Sequence, residues 1–256
     1  MTEQAADTAG LVRRLFDAKA ATWPAKYAPD GRLAGRLAQL ATAIGGHADA
    51  GCRVLDLGCG TGELARLLAH DGLKVTGCDI SAQMLQGARQ ADPVDRVEWI
   101  RLDPGWRRLP FGDGTFGAVV ASSVLEYVDD PVTVLRECAR VLRPGGTLLC
   151  TVPEPGHPLR WAEWLVASLA RLPLLRALGH RQRRLDGYLT YLRISRQRHS
   201  LRWWRAAGAH AALRLLPGSP TAARRSPLRL LGFQLTDAAD DVPCRTRGDL
   251  QTPELI

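Results

Sequence analysis

The chain lacks a Cys-x-x-Cys pair, and it lacks any uncharged apolar stretch of the ~20 residues that a membrane-spanning helix needs. Its six cysteines stand singly in predicted strands, a helix and a loop, which indicates reduced, buried side chains rather than a disulfide framework or a zinc site. The first ten residues are small and polar and do not form the apolar core of a secretion signal. These absences favour a cytoplasmic protein without a metal site.

Lysine is scarce too, since the chain has only three lysines among 34 basic residues and arginine is its usual cation. The charge is uneven: residues 1–155 have a net charge of −2, whereas residues 156–256 have a net charge of +10. Such a basic surface binds nucleic acid, an anionic membrane or an acidic substrate, unless it merely reflects the general preference for arginine.

With 256 residues, 46% of them hydrophobic, the chain is long enough for one domain with an elaborated cap.

The most informative segment is residues 54–63, with the sequence VLDLGCGTGE, which predicts a strand, a glycine-rich turn and the start of a helix. Its glycines recur at every second position, at Gly58, Gly60 and Gly62, and not in the G-x-G-x-x-G spacing of a dinucleotide-binding loop. Asp56 and Glu63 flank the turn, and their negative charge opposes the binding of a pyrophosphate. The segment therefore favours S-adenosylmethionine, which carries a sulfonium and an ammonium group and has no phosphate.

A second carboxylate follows at the expected distance. Residues 73–80 read as the next strand and include Asp79, which lies about twenty residues beyond the loop, where a carboxylate accepts hydrogen bonds from ribose hydroxyls. This placement fits both NAD and S-adenosylmethionine. The alternative role for Asp79 is to cap the next helix, although Ser81 fills that role equally well.

Further motifs follow in order along the chain. They are a third strand at 97–102 followed by Asp103, the Leu-Pro-Phe segment 109–111, a fourth strand at 115–120, the run VLEYV at 124–128, and the turn and fifth strand RPGGTLL at 143–149. With the glycine loop, this series resembles the class I S-adenosylmethionine-dependent methyltransferases, in particular the small-molecule and lipid branch that includes the ubiquinone and menaquinone methyltransferases. The resemblance runs from about residue 53 to residue 153.

The resemblance implies an α/β fold: a Rossmann-like, seven-stranded, mostly parallel sheet with helices on both faces and a helical lid insertion after strand five. It implies S-adenosylmethionine as the cofactor and Asp103 as the residue that meets the adenine amino group. The expected cofactor-binding residues are Asp56, Gly58, Cys59, Gly60, Gly62, Asp79, Ile80, Met84, Asp103 and Ser122.

The sequence also departs from the family pattern. Residues 104–108 lengthen the loop before Leu-Pro-Phe, and Gly117 stands where the family commonly has an aspartate. Tyr127 stands where the family often has a histidine, and a tyrosine with an ordinary pKa near ~10 is a poor base. If relatives use that histidine to remove a proton, this chain does so in another way.

Five regions are expected along the chain. Residues 1–50 form an N-terminal helical cap, in which Trp23 and Tyr27 are candidates for lining the pocket. Residues 51–155 form the cofactor-binding core, 156–199 the helical lid, 200–240 the last helix and terminal hairpin, and 241–256 a loose tail.

The lid is expected to contain an amphipathic helix over residues 159–172, followed by more helix at 174–185. Trp161, Trp164, Leu165, Leu169 and Leu172 recur on one apolar face, with Arg160, Glu163 and Arg171 elsewhere. Two interpretations are open. The apolar face packs on the domain, which is the commoner case, or it lies in a membrane interface as a peripheral contact.

These patterns predict methyl transfer to a small-molecule acceptor that is hydrophobic or aromatic, such as a quinone, a lipid or a secondary-metabolite precursor. Tyr127 and His157 are the expected catalytic residues, because they follow strands four and five and can titrate. One alternative is an RNA or protein methyltransferase that uses the arginine-rich surface, although we do not expect nucleic acid as a partner. The other is a cofactor-binding scaffold without activity.

Overall fold

The computed structural model describes residues 3–31, 33–48, 51–169, 183–217 and 226–236. Its sheet has seven strands in the order β3-β2-β1-β4-β5-β7-β6. The strands are β1 (Arg53–Leu57), β2 (Lys74–Asp79), β3 (Val97–Arg101), β4 (Phe116–Ala121), β5 (Leu142–Pro153), β6 (Leu213–Leu215) and β7 (Leu228–Leu235). Neighbouring strands from β3 to β5 are parallel, and β7 is antiparallel to both β5 and β6. The predicted Rossmann-like sheet and its terminal hairpin are confirmed.

Helices cover both faces of this sheet. They are α1 (Glu3–Asp17), α2 (Ala34–Gly45), α3 (Glu63–His70), α4 (Ala82–Gln90), α5 (Pro131–Val141), α6 (Pro158–Leu169), α7 (Arg183–Ile194) and α8 (Leu201–Ala209), with two short 3-10 turns at Ala20–Thr22 and Pro24–Lys26. In the described part of the chain, none of these helices is both long and apolar enough to cross a membrane. The predicted tail at 241–256 lies outside the described residues.

The central strand β4 shows why the sheet is buried on both sides. Every residue of β4 is buried, and alternate side chains point to opposite faces. Val119 joins a core that includes residues of α5 and α8, whereas Val120 joins a core that includes residues of α2 and α3. The apolar run in the sequence therefore supplies both hydrophobic layers.

Short polar side chains start the helices that follow the strands. The Ser81 hydroxyl accepts a hydrogen bond from the backbone N–H of Met84 at 3.1 Å and caps α4. Ser200 caps α8 in the same way, accepting from the N–H of Trp203. Because Ser81 is the cap of α4, the side chain of Asp79 is available for another role.

The third glycine of the loop, Gly62, is needed for packing behind the loop. It has a φ of +79°, and an added Cβ would overlap the ring of Trp99. Gly117 is constrained in a similar way, because a Cβ there would overlap the Cys52 sulfur. The absence of a carboxylate at position 117 is therefore explained by the close approach of Cys52.

A pair of glycine substitutions separates this packing effect from backbone strain. Gly72 has a φ of +88°, and no atom lies within 4 Å of the position that a Cβ would take, so Gly72→Ala adds only the left-handed backbone cost. We expect Gly62→Ala to lower the free energy of unfolding by about 1–3 kcal/mol more than Gly72→Ala, because it also overpacks Trp99. Urea denaturation followed by circular dichroism measures the difference. Equal losses would show that Trp99 moves aside freely.

Helix α6 lies where the sequence predicts a helix, but its orientation is the reverse of the commoner interpretation. Trp161, Trp164 and Leu165 are 72%, 64% and 52% exposed, whereas Arg160 and Glu163 are 6% and 2% exposed. The prediction that the Trp and Leu face packs on the domain is therefore wrong for these three residues. The side chain of Leu169, and Leu172 with most of the predicted helix at 174–185, lie outside the described residues.

The buried ion pair explains this orientation. Arg160 Nη1 donates to Glu163 Oε2 at 2.6 Å, and Arg160 Nη2 donates to the carbonyl oxygen of Pro227 at 2.8 Å. Glu163 Oε2 also pairs with Arg198 at 3.0 Å. Turning the helix over would leave these charges without their partners, and breaking a buried pair costs about 3–5 kcal/mol.

Candidate active site

A cavity of about 1650 Å³ lies at the carboxyl ends of β1, β2 and β4, where ligands bind in open α/β sheets. Residues of α1, the turns at 20–26, α2, α6, α7 and the start of β7 also line it. Pockets for one small ligand are typically ~300–1,000 Å³, so this cavity is large enough for two molecules side by side.

The glycine loop forms one wall of the cavity. Gly58 and Gly60 adopt left-handed backbone conformations with φ of +71° and +57°. The Gly60 N–H donates to Asp79 Oδ2 at 2.9 Å, and the Ser81 N–H donates to Asp79 Oδ1 at 2.8 Å. Asp79 therefore ties the loop to the end of β2 and holds its carboxylate at the cavity.

Asp56 supplies a buried negative charge beneath the loop. Burial, followed by the charges of Asp79 and Glu63, raises the pKa of Asp56 from its usual value to about 7. Its Oδ2 atom is buried and makes no hydrogen bond within the described part of the chain. An unpaired buried carboxylate oxygen is costly, so this site favours a ligand that brings a positive charge or a strong donor.

Eight of the ten residues predicted to bind the cofactor lie on the cavity wall: Asp56, Gly58, Cys59, Gly60, Asp79, Ile80, Met84 and Ser122. Gly62 lies behind the loop against Trp99 instead. Asp103 is exposed and lies outside the cavity lining, where Gly105 and Trp106 are found. The lengthened loop at 104–108 thus gives no geometric support to an adenine contact from Asp103.

The N-terminal cap covers the glycine loop. The Trp23 Nε1 atom lies 3.2 Å from the position that a Cβ of Gly60 would take, so the indole packs directly over Gly60. Lys26 Nζ lies 3.3 Å from the centroid of the Trp23 ring. Tyr27 also lines the cavity, and burial raises its pKa to about 12. Both aromatic residues lie where the sequence predicts them.

The part of the cavity around Tyr127, its aromatic end, begins beside the cover of the glycine loop, because Phe16 contacts both Tyr127 and Trp23. Tyr127 makes edge-to-face contacts with Phe16 and Tyr191, at centroid distances of 5.2 and 6.3 Å. Burial, followed by the charge of Glu126, raises the pKa of Tyr127 well above its ordinary value. Tyr127 is therefore a neutral phenol that can donate a hydrogen bond, and its environment opposes the role of a base.

His157 lies apart from this end of the cavity. It precedes α6, where its Nδ1 accepts a hydrogen bond from the N–H of Leu159 at 3.1 Å, in the manner of a helix cap. His157 is not among the residues that line the cavity. The geometry thus brings Tyr127 to the site but does not bring His157 there.

Glu126 is a site residue that the sequence interpretation missed. It is buried, lines the cavity and accepts a hydrogen bond from the Ser195 hydroxyl at 2.9 Å. Burial raises the pKa of Glu126, while the hydrogen bond from Ser195 acts in the opposite direction. A carboxylate inside the otherwise apolar run VLEYV was the available signal, because an acidic residue there must find buried polar partners.

The same region of the chain matches known proteins. Residues 55–150 match the methyltransferase domain family. The ubiquinone/menaquinone biosynthesis C-methyltransferase of Desulfotalea psychrophila is 40% identical over 105 residues, which cover 40% of this chain and 42% of that protein. The demethylmenaquinone methyltransferase of Tropheryma whipplei is 43% identical over 126 residues, covering 49% of each. The trans-aconitate 2-methyltransferase of an Azoarcus species is 38% identical over 139 residues, covering 49% and 53%.

The chain spans about half the length of these curated relatives. Among solved structures, the 1,6-didemethyltoxoflavin-N1-methyltransferase of Burkholderia thailandensis, with its substrate and S-adenosylhomocysteine bound, has a TM-score of 0.62 and 15% identity and covers 91% of each chain. The S-adenosylmethionine-dependent methyltransferase of Mesorhizobium loti has a TM-score of 0.56 and 20% identity, covering 77% of this chain and 99% of that one. These two likenesses concern the fold.

The family match, the relatives and the sheet order lead to one conclusion for the core of the chain. Residues 55–150 match the methyltransferase domain family, and the sheet that contains them has the fold of S-adenosylmethionine-dependent methyltransferases.

Proposed function

We propose that the protein transfers a methyl group from S-adenosylmethionine to a small hydrophobic or aromatic acceptor. The observation that carries the proposal is the unpaired Oδ2 of Asp56 beneath the glycine loop, in a cavity with room for two molecules. The buried Asp56 carboxyl attracts a cationic cofactor through its charge and disfavours a phosphate-bearing one.

Each part of the cofactor has a group that suits it. The carboxylate of Asp79 accepts the ribose hydroxyls with the lone pairs that its two backbone hydrogen bonds leave over. Asp56 faces the positively charged amino-acid portion, and Trp23 covers the loop and excludes water. When bound, S-adenosylmethionine supplies a methyl group that its sulfonium has already activated.

The acceptor belongs to the aromatic end of the cavity. Phe16, Tyr127 and Tyr191 present rings that stack against a planar acceptor and align it with the methyl group. Two of the relatives are named for menaquinone biosynthesis, and a third is named for trans-aconitate, so the class of acceptor varies within this likeness. The ring-lined wall favours a quinone-like or phenolic acceptor for this chain.

Proton removal from such an acceptor is assigned to Glu126. The raised pKa brings this buried carboxylate closer to the range in which a carboxylate is an effective base, and the neutral phenol of Tyr127 donates a hydrogen bond to the carboxylate and holds it in place. Tyr127 therefore positions the base, and Glu126 takes the role for which the sequence offered Tyr127 and His157.

Calorimetric titration with S-adenosylmethionine and S-adenosylhomocysteine tests the cofactor part of the proposal. We expect wild-type protein to bind both and Asp79→Asn to weaken binding about tenfold, because one charged acceptor for the ribose is lost. Asp71→Asn, an exposed acid at the end of α3, is the matched control and should leave affinity unchanged. If the wild-type protein binds neither S-adenosylmethionine nor S-adenosylhomocysteine, the proposed function is refuted.

Turnover tests the acceptor part. Formation of S-adenosylhomocysteine should rise on addition of reduced quinones or simple phenols, and should not rise with RNA or with a protein extract. If RNA or the protein extract supports turnover and the small aromatic acceptors do not, the acceptor that we propose is wrong.

A further inference from the structure

The outward face of α6 is an apolar surface without a partner in the described part of the chain. We call Trp161, Trp164 and Leu165 the α6 apolar face; all three side chains are exposed. Monomeric proteins rarely expose contiguous large apolar side chains, and such a surface marks a site of contact with another molecule or with a membrane. Two tryptophans and a leucine, spaced three and four residues apart, form one patch and not scattered exceptions.

The orientation of this face is fixed from inside the protein. The buried pair of Arg160 and Glu163 joins α6 to the Pro227 carbonyl and to Arg198, so the helix cannot turn its apolar side inwards without losing these contacts. The exposure is therefore a property of the folded state and not a consequence of loose attachment.

The charge around the face indicates what it meets. The charge of Arg198 is neutralised by Glu163 at 3.0 Å on the inward side of α6, whereas Arg193 and Arg196, close to it along the chain, are exposed. Over the described residues 183–217 the sequence has eight arginines and a single acidic residue, Asp186. Apolar side chains that include tryptophan, beside a surplus of positive charge, are the combination that binds an anionic lipid surface.

We infer that the α6 apolar face docks the protein on an anionic phospholipid bilayer. Trp161, Trp164 and Leu165 enter the interface, and the arginines that follow α7 lie against the lipid head groups. Leu159, in the first turn of α6, and Tyr188 of α7 are exposed and also line the cavity. A lipophilic acceptor thus has an apolar route from the bilayer to the cavity, a consequence that rests on the proposed function.

Co-sedimentation of the full chain with vesicles tests the inference. We expect binding to vesicles of equal parts phosphatidylglycerol and phosphatidylcholine, weaker binding to phosphatidylcholine alone, and a roughly tenfold loss of binding in about 0.5 M salt. Leu165→Glu should weaken binding about 20-fold, because it removes an inserted side chain and adds a repelled charge.

Val94→Glu is the matched control. Val94 is 63% exposed in the loop that leads into the amino end of the edge strand β3, whereas α6 follows the carboxyl end of β5, so the same charge is added at the other end of the strands. It should change vesicle binding less than about twofold. Equal losses in the two variants, or no binding of wild-type protein to anionic vesicles, would overturn the inference.

A second copy of the chain is the competing occupant of the α6 apolar face. Sedimentation velocity would then show a wild-type dimer that Leu165→Glu dissociates, with no vesicle binding, and this result would also overturn the inference. Calorimetry with S-adenosylmethionine keeps the two proposals apart. Vesicle binding without cofactor binding would refute the proposed function alone, and cofactor binding without vesicle binding would refute the membrane surface alone.

Discussion

Asp56→Asn is expected to weaken S-adenosylmethionine binding on the order of 100-fold while it stabilises the unliganded protein. The carboxylate is buried, and its pKa of about 7 shows that ionisation is unfavourable in the folded, unliganded state. Asparagine has nearly the same shape without the charge. The variant therefore loses the attraction to the cationic ligand and also loses the cost of holding a buried charge, a gain of about 4 kcal/mol at about pH 8.

The sign of the pH dependence follows from the raised pKa of Asp56. Between about pH 4 and pH 7 the unfolded chain has released the proton from this carboxyl, whereas the folded protein retains it, so unfolding releases a proton and this group lowers stability as the pH rises. Cofactor binding favours the ionised form. We therefore expect affinity to increase from about pH 6 to about pH 8 in the wild type, with proton release on binding, and both trends to disappear in Asp56→Asn.

Calorimetry in buffers of different ionisation enthalpy measures the released proton, and thermal unfolding without ligand measures the stability. Asp92→Asn is the control, because Asp92 is also buried but accepts hydrogen bonds from the N–H groups of Arg96 and Val97. This variant should lose stability and retain cofactor affinity, the reverse of Asp56→Asn. The assignment of Asp56 fails if its asparagine variant is destabilised at high pH and binds the cofactor as the wild type does.

The residues of the glycine loop were predictable because their roles are local. The strand before Gly58, the cap at Ser81 and the carboxylate at Asp79 are each specified by residues within a few positions of them, and each lies where the sequence predicts. The same holds for the terminal hairpin, in which Leu213–Leu215 pairs with Leu228–Leu235. In these segments the period of the apolar residues, the glycines and the capping residues give one consistent answer.

The orientation of α6 was not predictable in this way. Helical periodicity shows that Trp161, Trp164 and Leu165 share a face, but not which face meets the protein. The decision depends on Arg160, whose partners include the Pro227 carbonyl at a distance of 67 residues along the chain. Long-range ionic contacts of this kind leave no local signal in the sequence.

The role of Glu126 was hidden for the same physical reason. Its buried position depends on the Ser195 hydroxyl, which lies 69 residues further along the chain. Tyr127 and His157 were predicted instead, because they can titrate near the ends of strands four and five. Only the folded chain shows that burial disfavours ionisation of Tyr127 and that His157 caps α6.

Glu126→Gln is expected to lower kcat roughly 10²–10⁴-fold if this carboxylate removes the proton of the acceptor. Glutamine retains the size of the side chain and can accept from the Ser195 hydroxyl, but it is not a base. Cofactor affinity should be unchanged, since the hydrogen-bond partners of Glu126 are Ser195 and Tyr127 and not residues of the glycine loop. Steady-state turnover together with calorimetry separates the two effects.

The pH profile distinguishes a base from a residue that only supports the fold. Burial raises the pKa of Glu126, so wild-type kcat should rise as the pH passes through that pKa and then level off, and this limb should be missing in the glutamine variant. Ser195→Ala removes a hydrogen bond that lowers the pKa, so it should move the limb to higher pH while it preserves the plateau. An unshifted profile in Ser195→Ala, or full turnover in Glu126→Gln, would remove Glu126 from the mechanism and leave Tyr127 as the titratable group in contact with the acceptor.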